Sequence, residues 1–537
     1  NQSEKPIGAQ ELSPVTQLFT EPYMVQFLLD NSLGAWFALR RLTEKDWREA
    51  VSEEELRSKA AAPGLPLTYL RFMRTEEGMW EPMNGKLEGW GKEIGELRIM
   101  DPCCGSGHFL AAALHMIASM RIVLNGEPAT WAIDRTLEEN IHGLELDRRC
   151  VEIAAFALAF AAWTFPPAPG FRSLPEFHLA CCGQKPPVDE QSWMQLADQM
   201  AVSAFGSSEL LVDMGGDTPL MRSNVARTMR KLYGLFEQAD LLGSLLEPKN
   251  LERDLFHEDF DYVAQLLQTV LNRTYSEEGR EAAIRAKSMA GAAKMLGEQY
   301  DLVITNVPYL AAGKQDRVLS EWCAKHYPEA RADLATVFLE RCLKWTSSEG
   351  GMACIVLPQN WLFLKSYKKF RQKLLKHYAW NSIAKLGEGG FNSSAAAGAF
   401  VVLISLSSPH DGTAALKEQP LRGMDASLGK KAADKDAMLQ LLPIQSVLQQ
   451  TQLDNPDSRV TMEVMGNLPL LETVAKAVVG LQSGDDPYFI QMFWEHDCLR
   501  KITWERLQNT PDTYTMFSGM NGIVRWEQGK GELLSTK

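Results

Sequence analysis

An α/β fold built on a doubly wound, mainly parallel sheet is what residues 97–406 predict, and three observations carry that expectation. Short apolar runs of strand length alternate there with helical patterns, the rhythm of a parallel sheet covered on both faces. The first run ends in an acid and a glycine turn, residues 101–107 reading Asp-Pro-Cys-Cys-Gly-Ser-Gly. A later run, residues 301–310, reads Asp-Leu-Val-Ile-Thr-Asn-Val-Pro-Tyr-Leu, so a second loop rich in polar chemistry also leaves a strand end.

Taken in order, residues 1–90 read as a helical N-terminal segment. Met24, Phe27 and Leu28 fall at helical spacing after Thr20-Glu-Pro, with Asn31 near the end of the run. The main domain is expected over 91–406. Its strands are predicted at Leu97–Met100, Gly143–Leu146, Phe177–Ala180, Leu302–Thr305, Ala353–Leu357, Ser382–Leu386 and Phe400–Ile404. Between the third and fourth lies a stretch, about 185–298, too long for a structureless loop in a compact domain. The apolar spacing of Asp261–Leu271 and the alanine-rich Glu281–Leu296 make it a helical insertion. Residues 407–435, with Ser407-Ser-Pro-His-Asp-Gly and Lys430-Lys-Ala-Ala-Asp-Lys, read as a linker. Residues 436–537 form a second unit that reads as incomplete, and no internal repeats are visible.

Composition narrows the function classes. A chain of 537 residues with 45% hydrophobic and 23% charged residues is an ordinary globular composition spread over more than one core. The most apolar stretch, Val151 to Phe165, is too short to span a bilayer and carries Glu152, so it reads as a buried helix without a membrane partner. No secretory leader opens the sequence. The nine cysteines include two adjacent pairs, Cys103-Cys104 and Cys181-Cys182, and no CxxC spacing. Neither a metal site nor a disulfide framework follows, and a reduced, cytoplasmic setting is expected. The net charge of −13 counts against a polyanionic partner unless basic residues are locally concentrated or supplied by a missing segment. An opening at Asn1 without methionine reads as a fragment of a longer protein, or as a processed end.

The first loop reads as a site for S-adenosylmethionine. Gly105 and Gly107 let the backbone approach a ligand where a side chain would collide. Asp101 can pair with the cofactor's amino group, a charge-assisted contact. The acid precedes the turn and the glycines are spaced differently from a dinucleotide fingerprint, so a nicotinamide dehydrogenase fits poorly. On the next strand, Ile141-His-Gly-Leu-Glu-Leu-Asp places Glu145 where a carboxylate suits a ribose diol, with Asp147 as the reserve. Cys103 and Leu146 complete this candidate set. A plain glycine turn and an exposed acidic turn are the bland alternatives.

The second loop suits an exocyclic amine on a planar base. Such an amine is a poor nucleophile because its lone pair is delocalised into the ring. The Asn306 side-chain oxygen and the Val307 carbonyl could accept both amino hydrogens and favour a pyramidal nitrogen. Pro308 stiffens the turn, and Tyr309 offers a face for stacking. Catalysis of this kind is largely positioning and needs no strong general base. An irregular Asn-x-Pro-Tyr turn is the competing reading.

Together these segments resemble the gamma-order N6-adenine DNA methyltransferases: cofactor loop first, catalytic tetrapeptide second, target recognition last. The resemblance is strongest to the PglX-type methyltransferases of BREX phage-defence systems and their DISARM relatives. It covers about 12–406 well and 475–495 more loosely. Gln17-Leu-Phe-Thr-Glu-Pro is similar to the family's segment before the cofactor loop, which implies that Thr20 reaches the methionine end of the cofactor. Asp333-Leu-Ala-Thr-Val-Phe and the segment from Gly350 to Leu362 resemble the helix and strand after the catalytic loop. Gly387-Glu-Gly-Gly-Phe resembles the segment supplying a second aromatic, Phe391, to a flipped base, with a core role as its alternative. Val479 to Phe489 resembles the opening of the recognition domain, so 436–537 reads as the start of a target recognition region.

The resemblance implies an S-adenosylmethionine-dependent methyltransferase fold, double-stranded DNA as substrate and other defence-system proteins as further candidate partners. Two departures stand out. Val307 occupies a position usually held by proline, and the third strand, Leu179-Ala-Cys-Cys-Gly-Gln, lacks the acid expected near the cofactor's adenine, leaving Gln184 as a substitute. Lys365, Lys368, Lys369, Arg371, Lys373 and Lys376 are candidates for phosphate contacts, against the reading of a solvated helix face. The other functional readings are a catalytically weak module that binds DNA or a partner, and a methyltransferase for RNA or a protein amide.

Overall fold

The computed structural model describes residues 19–535 apart from 92, 167–169, 206–217, 249–276, 393–397, 411, 413–415, 464–470, 476–484, 496–502 and 509–517. The chain opens with a helix over Pro22–Leu29 that runs through a π turn (Asp30–Gly34) into a further helix, Ala35–Arg41. The π turn is tied to a segment some distance along the chain. Buried Asp30 accepts the Tyr69 N–H at 2.8 Å, and Asn31 accepts the Arg71 N–H at 3.0 Å, so both side chains bind the following segment. That segment forms a hairpin, β1 (Phe72–Arg74) against β2 (Trp80–Pro82), which the helical reading of 1–90 lacks.

The central sheet holds nine strands among the described residues: β3 (Ile99–Asp101), β4 (Ile141–Glu145), β5 (His178–Cys181), β6 (Leu302–Asn306), β7 (Met352–Pro358), β8 (Ala379–Gly387), β9 (Val401–Ser407), β10 (Pro420–Asp425) and β11 (Gln445–Leu448). Their order is β11-β10-β8-β9-β7-β6-β3-β4-β5. β5, β4, β3, β6 and β7 are mutually parallel, and β9 lies antiparallel between β7 and β8. The first seven coincide with the apolar runs, and the expected doubly wound α/β methyltransferase fold is borne out.

Alternation explains the burial on both faces. On β7, Met352, Cys354 and Val356 join one core cluster, while Ala353, Ile355 and Leu357 join the other. β6 divides likewise, with Leu302 and Ile304 on one face and Val303 on the other. The N-terminal helices and the helices His108–Asn125 and Arg148–Thr164 cover the first face. Leu334–Trp345, Lys368–His377 and the insertion cover the second. His108–Asn125 has the length and hydropathy of a bilayer span, yet it lies in the first core cluster through Leu110, Leu114 and Ile117.

Within the insertion the longer described helices are Glu190–Phe205, Thr218–Phe236 and Glu277–Gly297, the last containing the predicted Glu281–Leu296. The predicted helix over 261–271 lies outside the described residues. Buried Arg341 ties the insertion to the core by donating to the carbonyls of Ser244 (3.3 Å), Leu246 (2.7 Å) and Leu296 (3.2 Å).

The linker reading of 407–435 is corrected. β10 pairs parallel with β8, and the helix Ala432–Leu441 follows it. The polar composition misled because two of its cations are buried. Arg422 donates to the carbonyls of Pro82 and Met83 and pairs with Glu81, and Lys435 donates to the carbonyls of Leu386 and Gly429. The boundary expected at 436 falls instead at 464/465. The second unit, Met465–Lys537, has an antiparallel sheet of β12 (Ile490–Met492), β13 (Trp504–Leu507) and β14 (Gly522–Arg525) in the order β12-β14-β13. Phe489, Val524 and Leu533 form its core.

Candidate active site

Sheet topology fixes where the two loops meet. From β3 the chain winds outward through β4 and β5, then returns to β6 on the other side, so the winding reverses between β3 and β6. Ligands of open α/β sheets bind at the carboxyl ends of strands at such a point. The turn after β3 and the tetrapeptide after β6 both start there. One cleft is lined by Thr20, Asp101, Cys103, Gly105 and Asn306, five of the predicted site residues, together with Phe19 and His108.

Asp101 is buried at the end of β3 and accepts the Cys103 N–H at 3.1 Å. Burial raises its pKa to about 7; the Thr305 hydroxyl and the Cys103 N–H oppose this, and the charge of Glu145 adds to it. No cation is among the described groups acting on it. A buried carboxylate without a counter-ion suits an incoming ammonium, because the ligand supplies the missing charge. Gly105 has φ +52°, and a Cβ built there would meet nothing within 4 Å, so its backbone faces open space. Gly107 has φ +84° and caps the helix His108–Asn125; a Cβ there would sit 3.2 Å from Ala154 Cα and Cβ. The two glycines therefore play different parts, one open to a ligand and one required by packing.

Glu145 ends β4 and holds the turn. Its carboxylate accepts the N–H groups of Gly105 (2.9 Å), Leu146 (2.8 Å) and Asp147 (3.1 Å). Burial pushes its pKa up, and those three N–H groups oppose the shift. Asp147 is committed elsewhere: it caps the helix Arg148–Thr164 and pairs with Arg149 at 2.6 Å, which holds its pKa down. Glu145 rather than Asp147 is thus the acid that holds the turn after β3. Leu146 lies partly buried against the insertion, its methyl 2.9 Å from where a Cβ on Gly243 would stand. Ser244 in that turn donates to the Pro102 carbonyl, so the insertion braces the cofactor loop. No sequence signal marks Ser244.

Asn306 ends β6 and faces the cleft. The Val307 side chain is 1% exposed and packs in a core cluster, which explains an apolar residue at this position: it anchors the loop inward while its carbonyl remains a backbone feature. Tyr309 packs against the same cluster, its hydroxyl buried without a hydrogen bond among the described residues and its pKa raised by burial. The loop is then clamped. Asp333 Oδ1 accepts both the Ala335 N–H (2.9 Å), as an N-cap, and the Leu310 N–H (3.3 Å). The Leu334 N–H and the Gln315 amide donate to the Leu310 carbonyl, each at 2.9 Å. An aspartate directly before Leu-Ala-Thr-Val-Phe is a cap signal from which this clamp could have been read.

Phe391 sits at a core position, the alternative given for it. Its ring is 4% exposed and joins the cluster of Tyr23 and Met24 rather than that of Val307 and Tyr309. The Tyr23 hydroxyl donates to the Gly390 carbonyl at 2.7 Å, and Glu21 binds Asn392, so the N-terminal helix captures this segment. Among the lysine-rich positions, Arg371 is fully buried in contacts to carbonyls and Lys373 pairs with Glu340; Lys365, Lys368, Lys369 and Lys376 are exposed.

The family profile described as Eco57I restriction-modification methylase matches residues 139–391, and that of the MmeI DNA-methyltransferase domain matches 79–168. The chain is 25% identical over 383 residues to adenine-specific methyltransferase PglX of Lacticaseibacillus casei (strain Zhang), covering 68% of this chain and 27% of that protein. It is 25% identical over 401 residues to adenine-specific methyltransferase BrxX of Escherichia coli O9:H4 (strain HS), covering 72% and 30%. It therefore spans less than a third of the length of these relatives. Among solved structures, a nuclease-deletion mutant of the Type ISP restriction-modification enzyme LlaGI with a DNA substrate mimic aligns over 80% of this chain and 26% of its own, with 12% identity and a TM-score of 0.41. The expected kinship with adenine-specific methyltransferases is borne out.

Proposed function

We propose that this chain carries the catalytic part of a DNA adenine-N6 methyltransferase that uses S-adenosylmethionine and marks host DNA in a BREX- or DISARM-like phage-defence system. One observation carries the reading: Asp101 and Gly105 from one side of the switch point and Asn306 from the other line a single cleft. The cofactor, when bound, supplies an electrophilic methyl group on a sulfonium. Asp101 would hold its amino group, Thr20 its methionine end and Glu145 its ribose. Asn306 Oδ1 and the Val307 carbonyl would accept the two hydrogens of the adenine amine, drawing the nitrogen out of conjugation. Tyr309 would support the ring. The rigid clamp through Asp333 keeps both acceptors in place before the base arrives, so no reorganisation is spent in the transition state.

The test is transfer of labelled methyl groups to bacterial genomic DNA that lacks modification. N6-methyladenine should form with the complete protein and be lost, by roughly a hundredfold or more, in Asn306→Ala. Retention of the wild-type rate by that variant would refute the assigned site. The burial of Phe391 favours one competing reading, a methyltransferase-fold module that binds without turnover. Cofactor binding with no product on any DNA would select it.

A further inference from the structure

The chain leaving β7 emerges beside the catalytic tetrapeptide, because Asn306 on β6 pairs with Val356, two residues before β7 ends at Pro358. It turns through two short 3-10 segments, Asn360–Leu362 and Lys365–Tyr367, into the helix Lys368–His377. Trp361, Leu362 and Tyr367 are buried, whereas Phe363 and Leu364 between them are 45% and 43% exposed. Single exposed apolar residues are ordinary. An adjacent pair on a rigidly held turn beside an active site calls for a reason.

The turn is rigid because of Arg371. Its buried guanidinium donates to the carbonyls of Trp361 and Leu364 (2.8 Å) on one side and of Ser458 (3.0 Å) and Asp457 (2.8 Å) on the other. The Val460 N–H adds a bond to the Leu362 carbonyl at 3.0 Å. Asp457 and Ser458 both adopt left-handed conformations, φ +54° and +51°, which non-glycine residues avoid. Lys365, Lys368 and Lys369 follow the exposed pair along the chain and are exposed themselves. Lys368 meets Asp457 at 3.4 Å; among the described residues Lys365 and Lys369 enter no ion pair. A chain with a net charge of −13 thus presents an exposed apolar pair followed by a run of exposed cations on the turn that leaves the strand next to β6.

We propose that this turn is a duplex-contacting ridge: Phe363 and Leu364 insert into the base stack vacated by the extruded adenine, and Lys365, Lys368 and Lys369 neutralise adjacent backbone phosphates. The inference rests on the DNA reading of the site and adds to it the surface that keeps the duplex open. Apolar side chains commonly act as such wedges, and extrusion of a base creates the gap they fill.

The test uses the full chain in three forms: wild type, Lys365→Ala/Lys369→Ala and Phe363→Ala/Leu364→Ala. Binding to a labelled random-sequence duplex is measured by anisotropy over a salt series, and methyl transfer on unmodified genomic DNA in parallel. Affinity for S-adenosylmethionine, read by calorimetry, should be unchanged in both variants. The lysine variant should flatten the slope of log affinity against log salt by roughly 1.8, about 0.9 for each lost phosphate contact. The apolar variant should lose about tenfold or more in methyl transfer, the effect of removing one good stacking contact. An unchanged slope in the first or an unchanged rate in the second overturns the ridge, as does absence of duplex binding by the wild type. If the wild type binds duplex with the predicted dependence on Lys365 and Lys369 but transfers no methyl group, the methylation reading fails and the phosphate-contacting surface stands without its wedge.

Discussion

Replacing Asp101 with asparagine should stabilise the fold and weaken cofactor binding at the same time. The carboxyl is buried at the end of β3 and its pKa is raised from 3.8 to about 7, with burial as the leading cause. A raised acid pKa in the folded state means that folding retains the proton. Its stabilising contribution is complete below the unfolded value and is lost as pH rises toward 7. Between those limits the loss runs at about 1.4 kcal/mol per pH unit, a few kcal/mol in all by pH 8. The asparagine amide cannot ionise, so Asp101→Asn escapes this penalty and weakens only the contacts from the Thr305 hydroxyl and the Cys103 N–H, about 1 kcal/mol each. The variant should therefore exceed the wild type by a few kcal/mol at pH 8, and by far less at pH 5. The same change removes the anion that meets the cofactor's ammonium, a charged hydrogen bond worth about 1.5–3 kcal/mol, or roughly ten- to a hundredfold in affinity. Urea unfolding at pH 5, 6, 7 and 8, with calorimetric titration of S-adenosylmethionine at pH 8, measures both. A variant less stable than the wild type at pH 8, or one that binds the cofactor equally well, would refute the assignment.

The two glycines of the turn should separate cleanly. Gly107→Ala forces a Cβ to within 3.2 Å of the Ala154 backbone at a left-handed residue and should cost roughly 2–4 kcal/mol of stability, seen as a lowered urea midpoint. Gly105→Ala carries only the left-handed strain, roughly 1–2 kcal/mol, because its Cβ meets nothing within 4 Å; its main effect should be on cofactor affinity. Asp333→Ala removes the acceptor shared by Leu310 and Ala335. It should cost about 1 kcal/mol as a lost cap and lower kcat at unchanged cofactor affinity, since the loop it clamps carries no predicted cofactor contact.

Phe391 and Arg371 mark where local reading stopped. A glycine-rich turn followed by phenylalanine looks the same whether the ring faces a ligand or a helix. Only the capture of Gly390 and Asn392 by Tyr23 and Glu21, remote in the chain, turns the ring inward. Arg371 sits in a lysine-rich helix and carries the same charge as its neighbours, yet four carbonyls take it out of solvent. Lys435 and Arg422 misled the linker reading for the same reason: composition counts a cation as solvent-facing, and burial with carbonyl partners reverses that.

Sequence by itself determined the elements whose cause is local. Continuous short apolar runs placed seven strands of the central sheet, because a strand buried on both faces needs apolar side chains at odd and even positions alike. Gly105 and Gly107 marked a tight turn after the first strand, and both adopt the left-handed backbone that glycine accepts without strain. Asn306 to Tyr309 stood out at a strand end through residue type alone. Tertiary structure alone decided the strand order that brings Asp101 and Asn306 to one cleft, the hold of Glu145 on Gly105, the bracing of Pro102 by Ser244 and the inward turn of Phe391. Each of these joins groups far apart in sequence, and no window along the chain contains both partners.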